Sequence, residues 1–164
     1  MTSPVVGPLV TRADIVAGLR RLGLSSGGVL FYHSSLSSFG RVDGGADAVI
    51  DAMLDVLGPD GTLAAPGFTF SLKNKPDPLV DMLDSPSEVG AISDALRRRP
   101  GVRRSRHLTH SVCAVGGRAA ELTAEHSITP CGPESPFAKL LAWDASIAFF
   151  GVDQNSNTCL HAVE

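Results

Sequence analysis

Short apolar runs alternate along the chain with stretches whose apolar residues recur at helical spacing, and this alternation predicts an α/β fold. Thr11 and Asp14 form a capping box for a helix with Ile15, Leu19 and Leu22 on one face, ending at Gly23. Val29 to His33 reads as a short buried strand, and a small-residue loop from Ser34 to Gly40 follows it. A second helix presents Ala46, Val49, Ile50, Met53, Leu54 and Leu57 to the core and stops at Gly58-Pro59. Thr62 to Pro66 is the next strand. The segment from Gly67 to Asp84, with Pro76 and Pro78 among polar residues, predicts a functional loop instead of a regular element.

In the second half, Ser85-Pro86-Ser87-Glu88 predicts a helix start: a cap, a proline in the first turn and a glutamate reaching back. Val89, Ile92 and Leu96 give its buried stripe, and Pro100-Gly101 ends it. Ser111 to Val115 predicts a strand, and Ala119 to His126 a short helix whose C-terminus suits a charged His126. A loop rich in Pro, Gly and Cys runs from Thr129 to Glu134. Ser135-Pro136 then opens a capped helix carrying Phe137, Leu140 and Leu141, and Ser146 to Val152 reads as a buried strand breaking at Gly151. The sum is an α/β protein with a central sheet flanked by helices, organised as a single domain over residues 1–164 without repeat or linker.

Composition narrows the class. A chain of 164 residues can bury a real core, and its 43% apolar content is ordinary for a globular protein. The apolar runs are too short to span a membrane, and no basic segment followed by an apolar one marks a secretion signal. Cys113, Cys131 and Cys159 are widely spread and form no CxxC pair, which predicts reduced thiols and a cytoplasmic setting. The net charge is −3, and the run Arg97-Arg98-Arg99 has the character of a helix C-terminus. Nucleic acid is therefore not an expected partner. A mildly acidic chain accommodates a cationic substrate, although so small a balance does not establish one.

The candidate chemistry gathers at the end of the sequence. His161 and Glu164 are spaced to share a helical face, where a carboxylate fixes the tautomer of an imidazole and stabilises its protonated form. That suits a general base working near neutrality, placed in a helix beyond the carboxyl end of the strand that breaks at Gly151. The alternative is an ordinary amphipathic helix start with an exposed Glu and a half-buried His. His107 and His110 make an HxxH pair without a third ligand, so no metal is assigned. Cys131 has no partner His recognisable by pattern and reads as a small loop hydrophobe. No serine stands in a G-x-S-x-G elbow, which sets a serine hydrolase aside.

Several segments taken together resemble the aminoglycoside 3-N-acetyltransferase family, also called the antibiotic N-acetyltransferase family. They are His33-Ser34-Ser35-Leu36-Ser37-Ser38-Phe39-Gly40, Asp43-Gly44-Gly45-Ala46, and Gly61-Thr62-Leu63 leading to Pro66. They continue with Ser85-Pro86-Ser87-Glu88-Val89-Gly90, Arg104-Ser105-Arg106-His107, Gly132-Pro133-Glu134-Ser135-Pro136, and Gly151-Val152 before Thr158-Cys159-Leu160-His161 and Glu164. These blocks occur in the family's order and spacing. The chain departs from the pattern at Leu108, where the family usually has Pro.

The resemblance implies transfer of an acetyl group from acetyl-coenzyme A to the 3-amino group of a 2-deoxystreptamine aminoglycoside, without a metal. It makes His161 the general base, with Glu164 beside it, and places the coenzyme against His33, Ser34, Ser35, Leu36, Ser37, Ser105 and Ser135. Each serine taken singly fits turn and cap chemistry equally well. Members of the family typically continue well beyond the His–Glu segment, so the resemblance also implies a C-terminally truncated member. Two alternatives follow: an inactive coenzyme-binding fragment, or an acetyltransferase for another amine of secondary metabolism. Oligomeric state and the identity of the acceptor are not legible.

Overall fold

Strand β2 (Val29–Ser34) sets the layering, because its alternating side chains enter two different apolar clusters. Leu30 and Tyr32 join Ile15, Leu19, Val49, Ile50, Met53, Leu57, Ile92 and Leu96 on one face of the sheet. Phe31 joins Phe68, Val112, Leu122, Phe137 and Leu140 on the other. A strand buried on both faces needs helices on both, which is how a parallel α/β sheet is covered. The computed structural model describes residues 7–126 and 128–163.

The central sheet has the order β5-β6-β4-β2-β7. Strand β4 (Thr62–Pro66) and strand β7 (Ser146–Phe150) run parallel to β2 on either side of it. Strand β6 (Val112–Gly116) pairs antiparallel with β4, and β5 (Arg103–Arg104) antiparallel with β6. A separate two-stranded parallel ladder joins β1 (Leu9–Val10) to β3 (Arg41–Val42). Helices α1 (Arg12–Arg21), α2 (Gly45–Leu57) and α3 (Ala91–Arg97) supply the first cluster, and α4 (Ala119–Thr123) and α5 (Pro136–Ala142) the second.

Local chemistry explains most boundaries. The predicted capping box closes at α1, where Thr11 Oγ1 accepts from the Asp14 N–H at 3.3 Å and Asp14 accepts from the Thr11 N–H at 2.9 Å. Gly58 ends α2 by donating to the Leu54 carbonyl at 2.9 Å. Gly116, at φ +114°, ends β6 against the neighbouring strand; a Cβ there would stand 2.0 Å from the Gly61 carbonyl oxygen, which only glycine avoids.

Three expectations are corrected. The helix predicted to begin at Ser85 begins at Ala91, after Gly90 at φ +125°. Glu88 does not reach back along that segment. Its carboxylate takes the Ser71 N–H at 2.9 Å and the Ser71 hydroxyl, while Asp94 takes the Ser87 N–H at 2.9 Å. Strand β7 is only part-buried, because it is the sheet edge and pairs with β2 alone among the described residues. Leu22 lies past the end of α1 and is 72% exposed, so it leaves the core stripe that Ile15 and Leu19 keep.

Candidate active site

Because β2, β4 and β7 are mutually parallel, their carboxyl ends open on the same side, where α/β sheets place ligands. A cavity of about 220 Å³ lies there. His33 and Ser34 enter it from the end of β2, and Phe68 and Phe70 from beyond β4. Val152, Asn155 and Thr158 close it from the segment after β7. Sequence reasoning missed Phe68 and Phe70 as wall residues, although it marked their loop as functional.

His33 is 6% exposed and its ring is packed between aromatics. It stacks on Phe149 at 5.7 Å between centroids and meets Phe31 edge-on at 5.2 Å. Burial pushes the imidazole down to about 4, so the ring is neutral at pH 7. His33 Nε2 and Ser34 Oγ are both buried, and neither finds a hydrogen-bond partner among the described residues. The next residues turn through a 3-10 helix, Leu36–Phe39. There the Ser35 N–H donates to Phe150 at 2.9 Å, the Ser35 and Ser37 hydroxyls meet at 3.0 Å, and Leu36 packs on the first cluster.

A loop running from Gly67 to Val89 forms one wall, and Arg104 holds its path. The guanidinium donates to the Gly67 carbonyl at 2.6 Å, the Ser85 carbonyl at 2.6 Å and Ser111 Oγ at 2.8 Å. Beside this wall stands His110, with Phe68 and Phe70 at 5.0 Å and 5.1 Å from its ring and Thr109 Oγ1 at 2.8 Å from Nδ1. Burial, followed by the charges of His107, His161 and Lys73, pushes His110 down to about 4.

His161 lies on a 3-10 helix, Thr158–Ala162, in place of the expected α-helical start, and its side chain faces solvent. Thr158 at the head of this turn lines the cavity, and Cys159 and Ala162 pack on the second apolar cluster. The turn therefore rests on the same face of the sheet as Phe31 and His33. Glu164, the expected carboxylate partner, lies outside the described residues. Burial, reinforced by Cys131, pushes the Cys159 thiol up to about 12 and leaves it protonated at neutral pH.

Two expected coenzyme contacts sit deeper than the cavity lining. Ser105 is fully buried, accepts from the Val112 N–H at 2.8 Å and meets His126 Nδ1 at 2.8 Å. His126 also has Nε2 at 2.9 Å from the Pro130 carbonyl, and burial, opposed by that carbonyl, pushes it down to about 4. It is a neutral half-buried ring beyond the end of α4, which corrects the charged helix terminus expected for it. His107 accepts two backbone N–H groups at Nδ1, from Thr109 at 3.1 Å and His110 at 3.0 Å, with Nε2 at 3.0 Å from Ile128 O. Among the described residues no three His, Cys, Asp or Glu side chains are grouped to hold a metal ion.

Ser135 caps α5, its hydroxyl accepting from the Ala138 N–H at 3.2 Å. Ser135→Ala is expected to cost about 1 kcal/mol of stability, read as a lowered urea midpoint. An unchanged midpoint combined with lost coenzyme affinity would instead make Ser135 a ligand contact.

A mixed sheet with a cavity of polar and aromatic side chains at the carboxyl ends of its parallel strands, and an exposed imidazole on the turn beside it, has the layout of a small-molecule site in an α/β fold. The family described as aminoglycoside 3-N-acetyltransferase matches residues 31–164, and the chain belongs to that family. It is 36% identical to aminoglycoside N(3)-acetyltransferase VII of Streptomyces paromomycinus, over 96% of this chain and 61% of that relative. It is 38% identical to aminoglycoside N(3)-acetyltransferase IX of Micromonospora chalcea, over 96% of this chain and 62% of that one.

Among solved structures, the YokD protein of Bacillus subtilis superposes with a TM-score of 0.88 at 32% identity, over 94% of this chain and 70% of that one. AAC-IIIb in its binary complex with CoASH superposes with a TM-score of 0.87 at 29% identity, over 94% and 64%. The chain thus spans about 61% of the length of the curated relatives. Among the described residues no helix is long and apolar enough to cross a membrane.

Proposed function

We propose that this chain carries the donor site and general base of a cytoplasmic acetyltransferase. It moves acetyl from acetyl-coenzyme A to the 3-amino group of a 2-deoxystreptamine aminoglycoside, a small-molecule acceptor. The observation that carries this reading is the cavity in which His33 Nε2 and Ser34 Oγ lie buried without partners, walled by the residue that begins the His161 turn. Two buried polar atoms lacking partners fit a ligand with carbonyl and amide groups, as a pantetheine thioester has. Family membership, the relatives' names and a neighbour holding CoASH support the same chemistry.

In this reading Ser34, Ser35, Leu36 and Ser37 lie along the coenzyme arm. Ser105 and Ser135 fix the loops behind it, and no metal takes part. The acceptor's ammonium first gives up a proton to solvent water. As the amine nitrogen bonds to the acetyl carbon, His161 takes a second proton, with Glu164 as its partner. The carbon–sulfur bond then breaks with its electron pair on sulfur, which takes up the proton held by His161 and leaves as the free thiol. An exposed His161 is reachable by an acceptor as large as a trisaccharide.

The test is release of free thiol from acetyl-coenzyme A with gentamicin or neomycin as acceptor. Acceptor-dependent turnover is expected; its absence, in a chain that also fails to bind the coenzyme, would sink the reading. A second reading is a coenzyme-binding unit without turnover, favoured by the part-buried β7 edge beside the cavity. Coenzyme binding without thiol release would select it.

A further inference from the structure

A buried polar atom without a partner forfeits its hydrogen bonds to water, at a cost of roughly 1–3 kcal/mol. Among the described residues three side-chain atoms stand in that position, His33 Nε2, Ser34 Oγ and Ser93 Oγ. Ser93, on α3, does not line the cavity; His33 and Ser34 do. The alternation of β2 separates these two. Ser34 follows Leu30 and Tyr32 on the face of the first cluster, and His33 follows Phe31 on the face of the second. The turn that bears His161 packs on the second face, through Cys159 and Ala162. A reacting carbonyl has to lie beside the general base, and so on the side of His33.

The geometry points to His33 as a second catalytic residue, whose Nε2–H donates to the thioester carbonyl oxygen while His161 takes the proton of the attacking amine. The assignment rests on the acetyl-coenzyme A reading above and adds to it the group that meets the charge developing on oxygen. Phe149 stacks on the ring and Phe31 meets it edge-on, packing that favours one orientation of the donor before the reaction begins. Burial keeps the ring neutral, and a neutral donor adds no positive charge beside an acceptor that is itself polycationic.

The experiment compares acetyl-coenzyme A with S-ethyl-coenzyme A, a thioether that keeps the arm and lacks the carbonyl, by titration calorimetry. The wild-type chain is expected to prefer acetyl-coenzyme A by about threefold to tenfold, the worth of one neutral hydrogen bond. His33→Phe, which keeps the aromatic packing, is expected to bind the two equally, and His33→Gln, which keeps an N–H, to recover part of the preference. With 15N-labelled histidine, the His33 Nε2 resonance of the wild-type chain should move with acetyl-coenzyme A and stay in place with the thioether.

Equal binding of both compounds by the wild type, or a preference that survives in His33→Phe, overturns the His33 assignment and leaves the coenzyme site standing. Binding of neither compound overturns the coenzyme reading and this one with it. Should His33→Phe fail to fold, the labelled wild-type chain decides by itself: an unmoved resonance under saturating acetyl-coenzyme A refutes the contact.

Discussion

His161→Ala is expected to lower acetylation by about 10²–10⁴-fold, the usual worth of a positioned general base, while acetyl-coenzyme A affinity stays within about twofold. The separation follows from where the side chain lies. His161 faces solvent from its 3-10 turn, and the contacts that seat the turn come from Cys159 and Ala162. Cys159 and Ala162 remain to hold the turn on the second cluster, so the variant should stay folded, with a cost of about 1 kcal/mol read from the urea midpoint. Turnover and calorimetric binding, measured on the same preparation, separate the outcomes. Retained turnover removes His161 from the role of base. Lost binding makes it a coenzyme contact.

The second large effect is loss of stability in mild acid. Burial holds His33, His110 and His126 near 4 in the folded chain, whereas an unfolded histidine titrates near 6.5. Between those values the unfolded chain binds more protons than the folded one, so stability falls as pH falls. The contribution is intact above pH 6.5 and is lost progressively toward pH 4. For His33, at 6% exposure, the linkage is on the order of 3 kcal/mol; for the more exposed His110 and His126 it is smaller. Together they take a large share of the ordinary stability of a domain, about 5–15 kcal/mol.

Urea midpoints measured at steps between pH 7 and pH 4.5 should decline steadily. His33→Phe should flatten the decline by about one proton's worth, near 1.4 kcal/mol per pH unit. A midpoint constant across that window would show that these rings protonate without disturbing the fold.

Elements whose chemistry is local were legible in the sequence. The Thr11–Asp14 box, the Gly58 stop and the strand Thr62–Pro66 depend on residues close together in the chain, and each forms where expected. The start of α3 was misread because its apparent box depends on Glu88 bonding locally. Ser71, distant in sequence, captures that carboxylate instead. Burial of β7 was misread for a different reason. An apolar run has the same composition at a sheet edge as at its centre, and only the pairing reveals which it is. The short strands β1, β3 and β5 carry no periodicity to detect.

The site divides in the same way. The family resemblance names His33, Ser34 and His161; the structure brings the first two to the cavity lining and leaves His161 exposed on the turn that Thr158 begins. Their arrangement was not legible, because the opposition of His33 and Ser34 across β2 appears only once both clusters are known. Phe68 and Phe70 carried no motif of their own, and their signal was a proline-bearing loop leaving the end of a central strand; His110 was visible only as half of an HxxH pair, which does not reveal its packing on those two rings.

The hold of Arg104 on the cavity wall bears on how the protein can change over generations. Three of the oxygens it grips, on Gly67, Asp81 and Ser85, are main-chain carbonyls that every amino acid carries. Substitutions along the intervening stretch can therefore alter the shape and charge of the cavity wall while the backbone keeps its course. The lining of the cavity can drift by single point mutations without each step first having to survive a loss of folding.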